Sequence, residues 1–524
     1  MTVSSNPTDE SSHPSGLLAY DVLQNYQDFD SMMSDAKFTA DTRTDFYDRS
    51  LTGRNCALVG VACSGIFSCS CIVGSIVILA KHGIYGVAVP NLINLETATL
   101  LQSQSSRLFL QREILTLALD LIVTLCTESI GFVHGISLRS ALASESRLRF
   151  NTNLRLLTAA SRWYNPNGAL LNGISAVLLI ISYSSVSLVV CLDDQYILSA
   201  EGIAFAGLPL LILGVALLLQ VMISLSGIRA VKILTWSSSP FDLTAALVHH
   251  TQLTPVTLRC MRRVSDLDTG GGPAKPPETQ PSAWHAHPSI RKVIVSLWVI
   301  VAACAGWAAL VMYIWGKYAG KGFILPDALT IQTWSFLPNT LVTNYIGYDM
   351  PAVNLLAWIL LYLNIAVVQG PLTLGLHCSE LVANPFLHWM FGLSFTVSPG
   401  VNEGQLLGFS VIMLTAQIWN LCIALFIFAC FFTFVALGRP RGPQPAAYGH
   451  VQTLANLVDE WSPVMWWGHK EDGIPYCHAG GVFICSQCYY SDTSEKGTSD
   501  HPLPDVKMDC VYAGFGAGSL VPVS

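Results

Sequence analysis

Seven stretches of the chain are apolar over lengths that can cross a lipid bilayer, and this limits the possible folds more than any other feature. They are Cys56–Leu79, Ile114–Ile136, Gly168–Cys191, Gly202–Leu225, Val293–Trp315, Pro351–Gly375 and Leu406–Leu437. A helix needs roughly 17–25 residues to cross about 30 Å of hydrocarbon, and polar, Pro- or Gly-marked breaks separate most of these stretches. Within lipid every backbone polar group has to be satisfied inside the protein. The runs are continuous rather than alternating, which points to helices and away from a barrel. The expectation is therefore an all-α, polytopic transmembrane helix bundle with about seven spans, eight being the alternative. Composition agrees: 52% of the 524 residues are hydrophobic and 12% are charged, against roughly 25% charged in soluble domains. A net charge of −7 gives no reason to expect nucleic-acid binding. The expected partner is the lipid bilayer, with an integral placement in a plasma or internal membrane.

Five regions follow from the pattern. Residues 1–54 are polar and read as disordered; they lack the basic start and apolar core of a secretory signal, so the first span is expected to direct insertion. Residues 55–225 form a first membrane half of four spans, and 293–438 a second half of about three. Between them, 226–292 reads as a flexible basic tether with a Gly/Pro-rich centre, Gly270–Gly272 and Lys275-Pro276-Pro277. Residues 439–524 read as a soluble, irregular tail whose Trp461, Trp466 and Trp467 suit a membrane surface.

Charge sets the orientation, with a contradiction. Eight Lys/Arg lie between spans four and five, five between spans two and three, and none between three and four. The basic connections belong in the cytosol. Seven crossings then put the C-terminus outside, yet Arg439 and Arg441 directly after the last span want it inside. One more crossing, by Phe323–Ile346 or a re-entrant Trp389–Pro399, reconciles the two.

The second span holds the strongest chemical anomaly. Asp120 and Glu128 interrupt an apolar run bracketed by Glu113 and His134. At 100° per residue Glu113, Thr116, Thr127 and His134 fall within about 40° of Asp120, with Thr124 alongside and Glu128 about 80° away. Ionisable groups at bilayer depth usually face a bundle interior or a hydrated cavity and mark ion paths or proton relays. Gln220, Asn364, Gln369, Gln417 and Asn420 on other spans are the expected partners. The bland reading has the same residues as hydrogen-bonded packing groups between helices.

Other motifs carry less. Cys485 and Cys488 have the spacing of half a zinc site, with His469, Cys477 and His478 upstream, but the regular second half is missing. No metal or cofactor is expected on that basis. His377-Cys378-Ser379-Glu380 reads as a polar helix end, Gly270–Gly272 lacks the Lys-Ser/Thr of a phosphate loop, and no hydrolase motif stands in a supporting position. An enzyme is not expected.

Several runs do resemble a known family. The tail Tyr448-Gly-His-Val-Gln-Thr-Leu-Ala-Asn-Leu, the run Trp467-Gly-His-Lys470, the segment Pro502-Leu-Pro504 and Val511-Tyr-Ala-Gly514 are similar to a fungal family of polytopic membrane proteins with a domain of unknown function. Leu376-His-Cys-Ser-Glu-Leu381 and Asn165-Pro-Asn-Gly168 fit its pattern too. The resemblance implies fungal origin and membrane placement, and no catalytic residue. One departure stands out: in the family a His-Ala-Gly-Thr run leads straight into the Leu-Pro segment, whereas here Gly481–Lys496 intervenes. That insert reads as a retained intron. Two function classes remain, a proton- or cation-linked transporter using the span-two stripe, and a non-transporting receptor or scaffold.

Overall fold

A computed structural model of the chain describes residues 51–82, 87–90, 104–151, 159–160, 165–192, 202–256, 258–269, 272–318, 345–351, 383–402, 405–459, 461, 466–472, 476–482 and 503–513. In chain order the elements are α1 (Leu51–His82), β1 (Val87–Pro90), α2 (Gln104–Ser144), α3 (Ala169–Val189), β2 (Val190–Leu192), β3 (Gly202–Phe205) and α4 (Gly207–Ala230). There follow α5 (Pro240–His249), α6 (Ala283–Ala286), α7 (Pro288–Tyr318), β4 (Tyr345–Pro351), α8 (Ala383–Ser394), β5 (Phe395–Asn402) and β6 (Gln405–Leu414). The chain closes with α9 (Thr415–Leu437), α10 (Val451–Leu457), β7 (Trp466–Glu471) and β8 (His478–Val482).

The polytopic helix bundle expected from the sequence is present. Among the described residues six helices, α1, α2, α3, α4, α7 and α9, are long and apolar enough to span a bilayer. Their outer faces expose Val59, Ile66, Leu121, Met222, Val299 and Phe434, the pattern of helices that meet lipid rather than water. The expected sixth stretch lies outside the described residues apart from Pro351.

Small side chains set the helix spacing. In lipid the hydrophobic effect does not drive helices together, so close packing and hydrogen bonds must. Ser68 Oγ on α1 donates to the Gly214 carbonyl of α4 at 2.5 Å. A Cβ on Gly214 would meet Ile72 Cγ1 at 2.8 Å and the Ser68 carbonyl at 2.9 Å. One turn-pair away a Cβ on Gly207 would stand 3.0 Å from Ile78. Gly60 sits as tightly against Ser129 of α2. The second half is built on α7 and α9, antiparallel, with Trp298 Nε1 donating to Thr433 Oγ1 at 3.0 Å. Leu188 of α3 and Leu387, Met390 and Phe391 of α8 share that core, which joins the two halves.

Strands shorten three expected spans. Val190–Leu192, Gly202–Phe205 and Gln405–Leu414 extend rather than coil, in two antiparallel sheets ordered β1-β3-β2 and β4-β6-β5. Length gives the reason. As one helix Leu406–Leu437 would run about 48 Å, well beyond the hydrocarbon, whereas the 23 residues of α9 cover about 34 Å. An apolar run at a helix end satisfies its backbone equally well by pairing.

At the other end described segments of the 226–292 connection and of the tail pack against one another. Ser239 caps α5 by accepting from Phe241 N, with Pro240 at the first helical position. Val256 N donates to Asn456 Oδ1 at 2.8 Å, Gln280 N to the Pro440 carbonyl at 3.0 Å and Tyr448 Oη to the Pro281 carbonyl at 2.6 Å. Cys260 and Met261 from the connection pack with Cys477, Ala479, Val506 and Tyr512 from the tail. His478 Nε2 lies 2.6 Å from Asp459 Oδ2. Burial disfavours the charged ring, but the Asp459 bond and charge and the Ala513 carbonyl outweigh it, so the pKa lies above the ordinary histidine value. Pro- and Gly-rich chain has no periodicity to betray an extended segment held by distant partners, so these contacts were not legible in the sequence.

These contacts place the described part of the tail at one end of the bundle. Asn151 N bonds the Gly449 carbonyl and Thr279 pairs with Arg441, so the ends of α2, α4 and α9 and the start of α7 all lie at one basic end. The described chain after the last span therefore lies at the same end of the bundle as the described residues of the 226–292 connection, the arrangement that Arg439 and Arg441 favour. The total number of crossings from α1 to α9 is even. Two outcomes are expected. Epitopes inserted at Lys275 and appended after Ser524 will show the same protease accessibility in sealed vesicles. Replacing Gly214 by Val will push α1 from α4 and cost about 1–3 kcal/mol, read as a lowered melting temperature in detergent.

Candidate intramembrane polar site

Helix α2 turns one polar face inward. Asp120, Thr124, Thr127 and His134 are all buried, Asp120 to 2% exposure, and Glu128 is half-buried. Leu121 and Leu125, off that face, are exposed. Asp120 and His134 stand about 21 Å apart along the axis, most of the hydrocarbon thickness.

At the strand end of this face Thr124 Oγ1 donates to the Asp120 carbonyl at 2.7 Å and Thr127 Oγ1 to the Thr124 carbonyl at 3.0 Å. Their hydroxyl oxygens then serve Tyr183 of α3, whose Oη donates to Thr124 Oγ1 at 3.3 Å and lies 3.1 Å from Thr127 Oγ1. The Tyr183 ring stacks flat on His388 of α8, centroids 3.8 Å apart and planes within 6°. Tyr183 and His388 each lie six residues from the C-terminal ends of their helices, about 9 Å below the strands. Asp120 Oδ2 is buried and has no hydrogen-bond partner among the described residues.

A second cluster occupies the basic end. His134 Nε2 lies 2.7 Å from Asn172 Oδ1. Ser137 Oγ donates to Asn167 Oδ1 at 2.9 Å, and Asn167 Nδ2 reaches the Gly227 carbonyl at 3.4 Å. Gly227 permits this, since a Cβ there would meet Ser137 Oγ at 2.8 Å.

The expected partners divide. Gln220 Nε2 donates to Ser182 Oγ of α3 at 2.9 Å, on the helix that carries Tyr183. Asn420 Nδ2 donates to Gln417 Oε1 at 3.1 Å within α9. Asn364, Gln369 and the side chain of Glu113 lie outside the described residues. Sequence reasoning missed Tyr183, His388, Asn167 and Asn172. The available signal was Ser182, Ser184, Ser185 and Ser187 crowding Tyr183 inside a span, since buried hydroxyls seek partners.

Removing the Tyr183 hydroxyl with Phe will cost about 0.6 kcal/mol, the average of an intramembrane hydrogen bond. Tyr183→Ala will cost about 3–5 kcal/mol by opening a cavity against His388; thermal unfolding of the two variants in one detergent checks the ratio. No protein-family model, no curated protein and no solved structure matches this chain.

Proposed function

We propose that this multi-pass helical membrane protein carries protons, or a cation coupled to them, along the buried polar face of α2. Asp120 carries the reading: an enclosed carboxyl with one oxygen unpartnered among the described residues, at one end of a polar line that continues through Thr124, Thr127 and His134. A buried carboxyl that meets no cation can take up and release a proton as its surroundings hydrate and dry, which is the property a proton relay needs. The basic ends of α2, α4 and α9 are assigned to the cytosol by the charge rule. On the tail and loop motifs alone, membership of the fungal family is likewise proposed.

A receptor or scaffold is the second reading, favoured by the Thr124–Tyr183–Thr127 hydrogen bonds and the flat Tyr183–His388 stack, which suit a dry packed core. An even number of crossings, with the start of α1 antiparallel to α2 and so at the basic end, does not suit a seven-span receptor.

Cysteine substitution separates the two. In a background lacking reactive span cysteines, Asp120→Cys and Thr124→Cys are expected to react with a lipid-impermeant thiol reagent, and Leu121→Cys is not. Silence along the whole polar face would overturn transport and leave the packed core. In sealed proteoliposomes with an imposed pH gradient, Asp120→Asn is expected to abolish proton flux while the folded protein is retained.

A further inference from the structure

The β7–β8 hairpin and the segment that follows it bring together four side chains of metal-binding type. Asp472, Cys477 and Cys510 place one ligand atom each within 4.8 Å of one another. Cys477 Sγ is 3.6 Å from Asp472 Oδ1, and His469 Nε2 is 3.2 Å from the same oxygen. A tetrahedral ion with bonds of about 2.0–2.3 Å has ligand-to-ligand edges of about 3.3–3.8 Å, so the Cys477–Asp472 separation is that of ligands sharing one ion, with His469 standing beside Asp472.

Local structure explains the convergence. The pairing of β7 with β8 shifts register between His469 and Glu471, leaving Lys470 unmatched. The extra residue moves the alternation by one, so that His469 and Asp472, three apart, come to one face. Cys477 sits at the start of β8, held by its amide to the Val511 carbonyl at 3.0 Å, and this delivers the Lys507–Cys510 turn beside it. His469 Nδ1 lies 2.8 Å from Tyr512 Oη, an outer hydrogen bond of the kind that orients a ligating imidazole and leaves Nε2 for the ion. The Tyr512 oxygen is itself fixed by the Lys507 amide at 2.9 Å.

We propose that Asp472, Cys477 and Cys510, with the adjacent His469 turning in as the fourth ligand, form a structural binding site for a soft divalent transition ion of the zinc class. Two thiols and an imidazole exclude calcium and magnesium, which take oxygen ligands. Lys507 Nζ lies 2.6 Å from Asp472 Oδ1 and 2.5 Å from Oδ2, an ammonium standing where the carboxylate would otherwise meet the ion. Ion and lysine compete for Asp472. The bound ion would clamp the hairpin to residues 503–513, and through Tyr512 to Cys260 and Met261 of the connection between α4 and α7.

Cobalt reports the site in the full-length protein, purified in detergent with reductant and stripped with chelator. Stoichiometric Co²⁺ is expected to give tetrahedral bands with a thiolate-to-metal charge-transfer absorption, bleached by Zn²⁺. Cys510→Ser should lose most of that absorption, and Lys507→Ala should raise cobalt affinity severalfold by freeing Asp472. Since Cys477 is buried and its variants are at risk of misfolding, the lysine variant tests the site with every ligand in place. Absence of the charge-transfer band in the intact chain would overturn the proposal. So would a band that persists in Cys510→Ser, which places the ion elsewhere, or an affinity that Lys507→Ala leaves unchanged or lowers, which removes Asp472 from the ligand set.

Discussion

Hydrocarbon offers no hydrogen bonds, and nearly every feature of the bundle answers that one constraint. Backbone groups are satisfied by helices. Hydroxyls in the spans bond back to their own helix, as Ser182 to Leu178 and Ser140 to Ile136 do, or across to a neighbour, as Ser68 does to Gly214. The cross-helix bonds require close approach, and close approach requires small residues, so Gly214, Gly207, Gly227 and Gly60 stand where they do for the same reason. Asp120 departs from this economy as a carboxyl: its Oδ2 is buried and has no hydrogen-bond partner among the described residues.

The two ends of the bundle are closed differently, and charge distinguishes them. At one end short strands continue α3 and precede α4 and α9, and the connection between α3 and α4 carries no Lys or Arg. At the other, the basic connection 231–287 and the tail build one module from segments far apart in sequence. Among the described residues the two segments share one apolar cluster. Cys260 and Met261 bury against Cys477, Val506 and Tyr512, so segments that flank the second membrane half on either side meet in one cluster.

How much of this was legible in the sequence depended on which forces were local. Spans announced themselves because lipid selects apolar length, and the inward face of α2 because Asp120, Thr124, Thr127 and His134 repeat at helical spacing. Span ends did not, since hydropathy values Val190 or Phe409 alike in a strand or a helix. Tyr183 and His388 escaped because an aromatic ring on an apolar helix is ordinary until its neighbour is known. The partners of the 226–292 connection were hidden for a related reason: Pro276 and Pro277 describe a chain that cannot make a helix, and say nothing of what it packs against. The hairpin cluster drew attention to Cys485 and Cys488 by spacing alone, whereas Cys477 and Cys510 meet only through the tertiary pairing of Cys477 with Val511 and Ala513.

Rotation of α2 about its axis is the variable on which any activity of the polar face depends. A turn by one residue, 100°, would exchange Asp120 for Leu121 at the bundle interior and carry the carboxyl into lipid, at about 2.5–3.5 kcal/mol on insertion scales. Contacts near one end of the helix and at its middle oppose that turn. Near the basic end Arg139 is buried and donates to Asn151 Oδ1 at 2.5 Å, and Asn151 Nδ2 to the Ser238 carbonyl at 2.8 Å, which ties α2 to the connection after α4. Midway along the helix Thr124 and Thr127 share the Tyr183 hydroxyl. The polar line is therefore held between two anchors of different kinds, one to the extramembrane module and one to α3. A change in the module that releases Arg139 would be felt at Asp120 through a single helix.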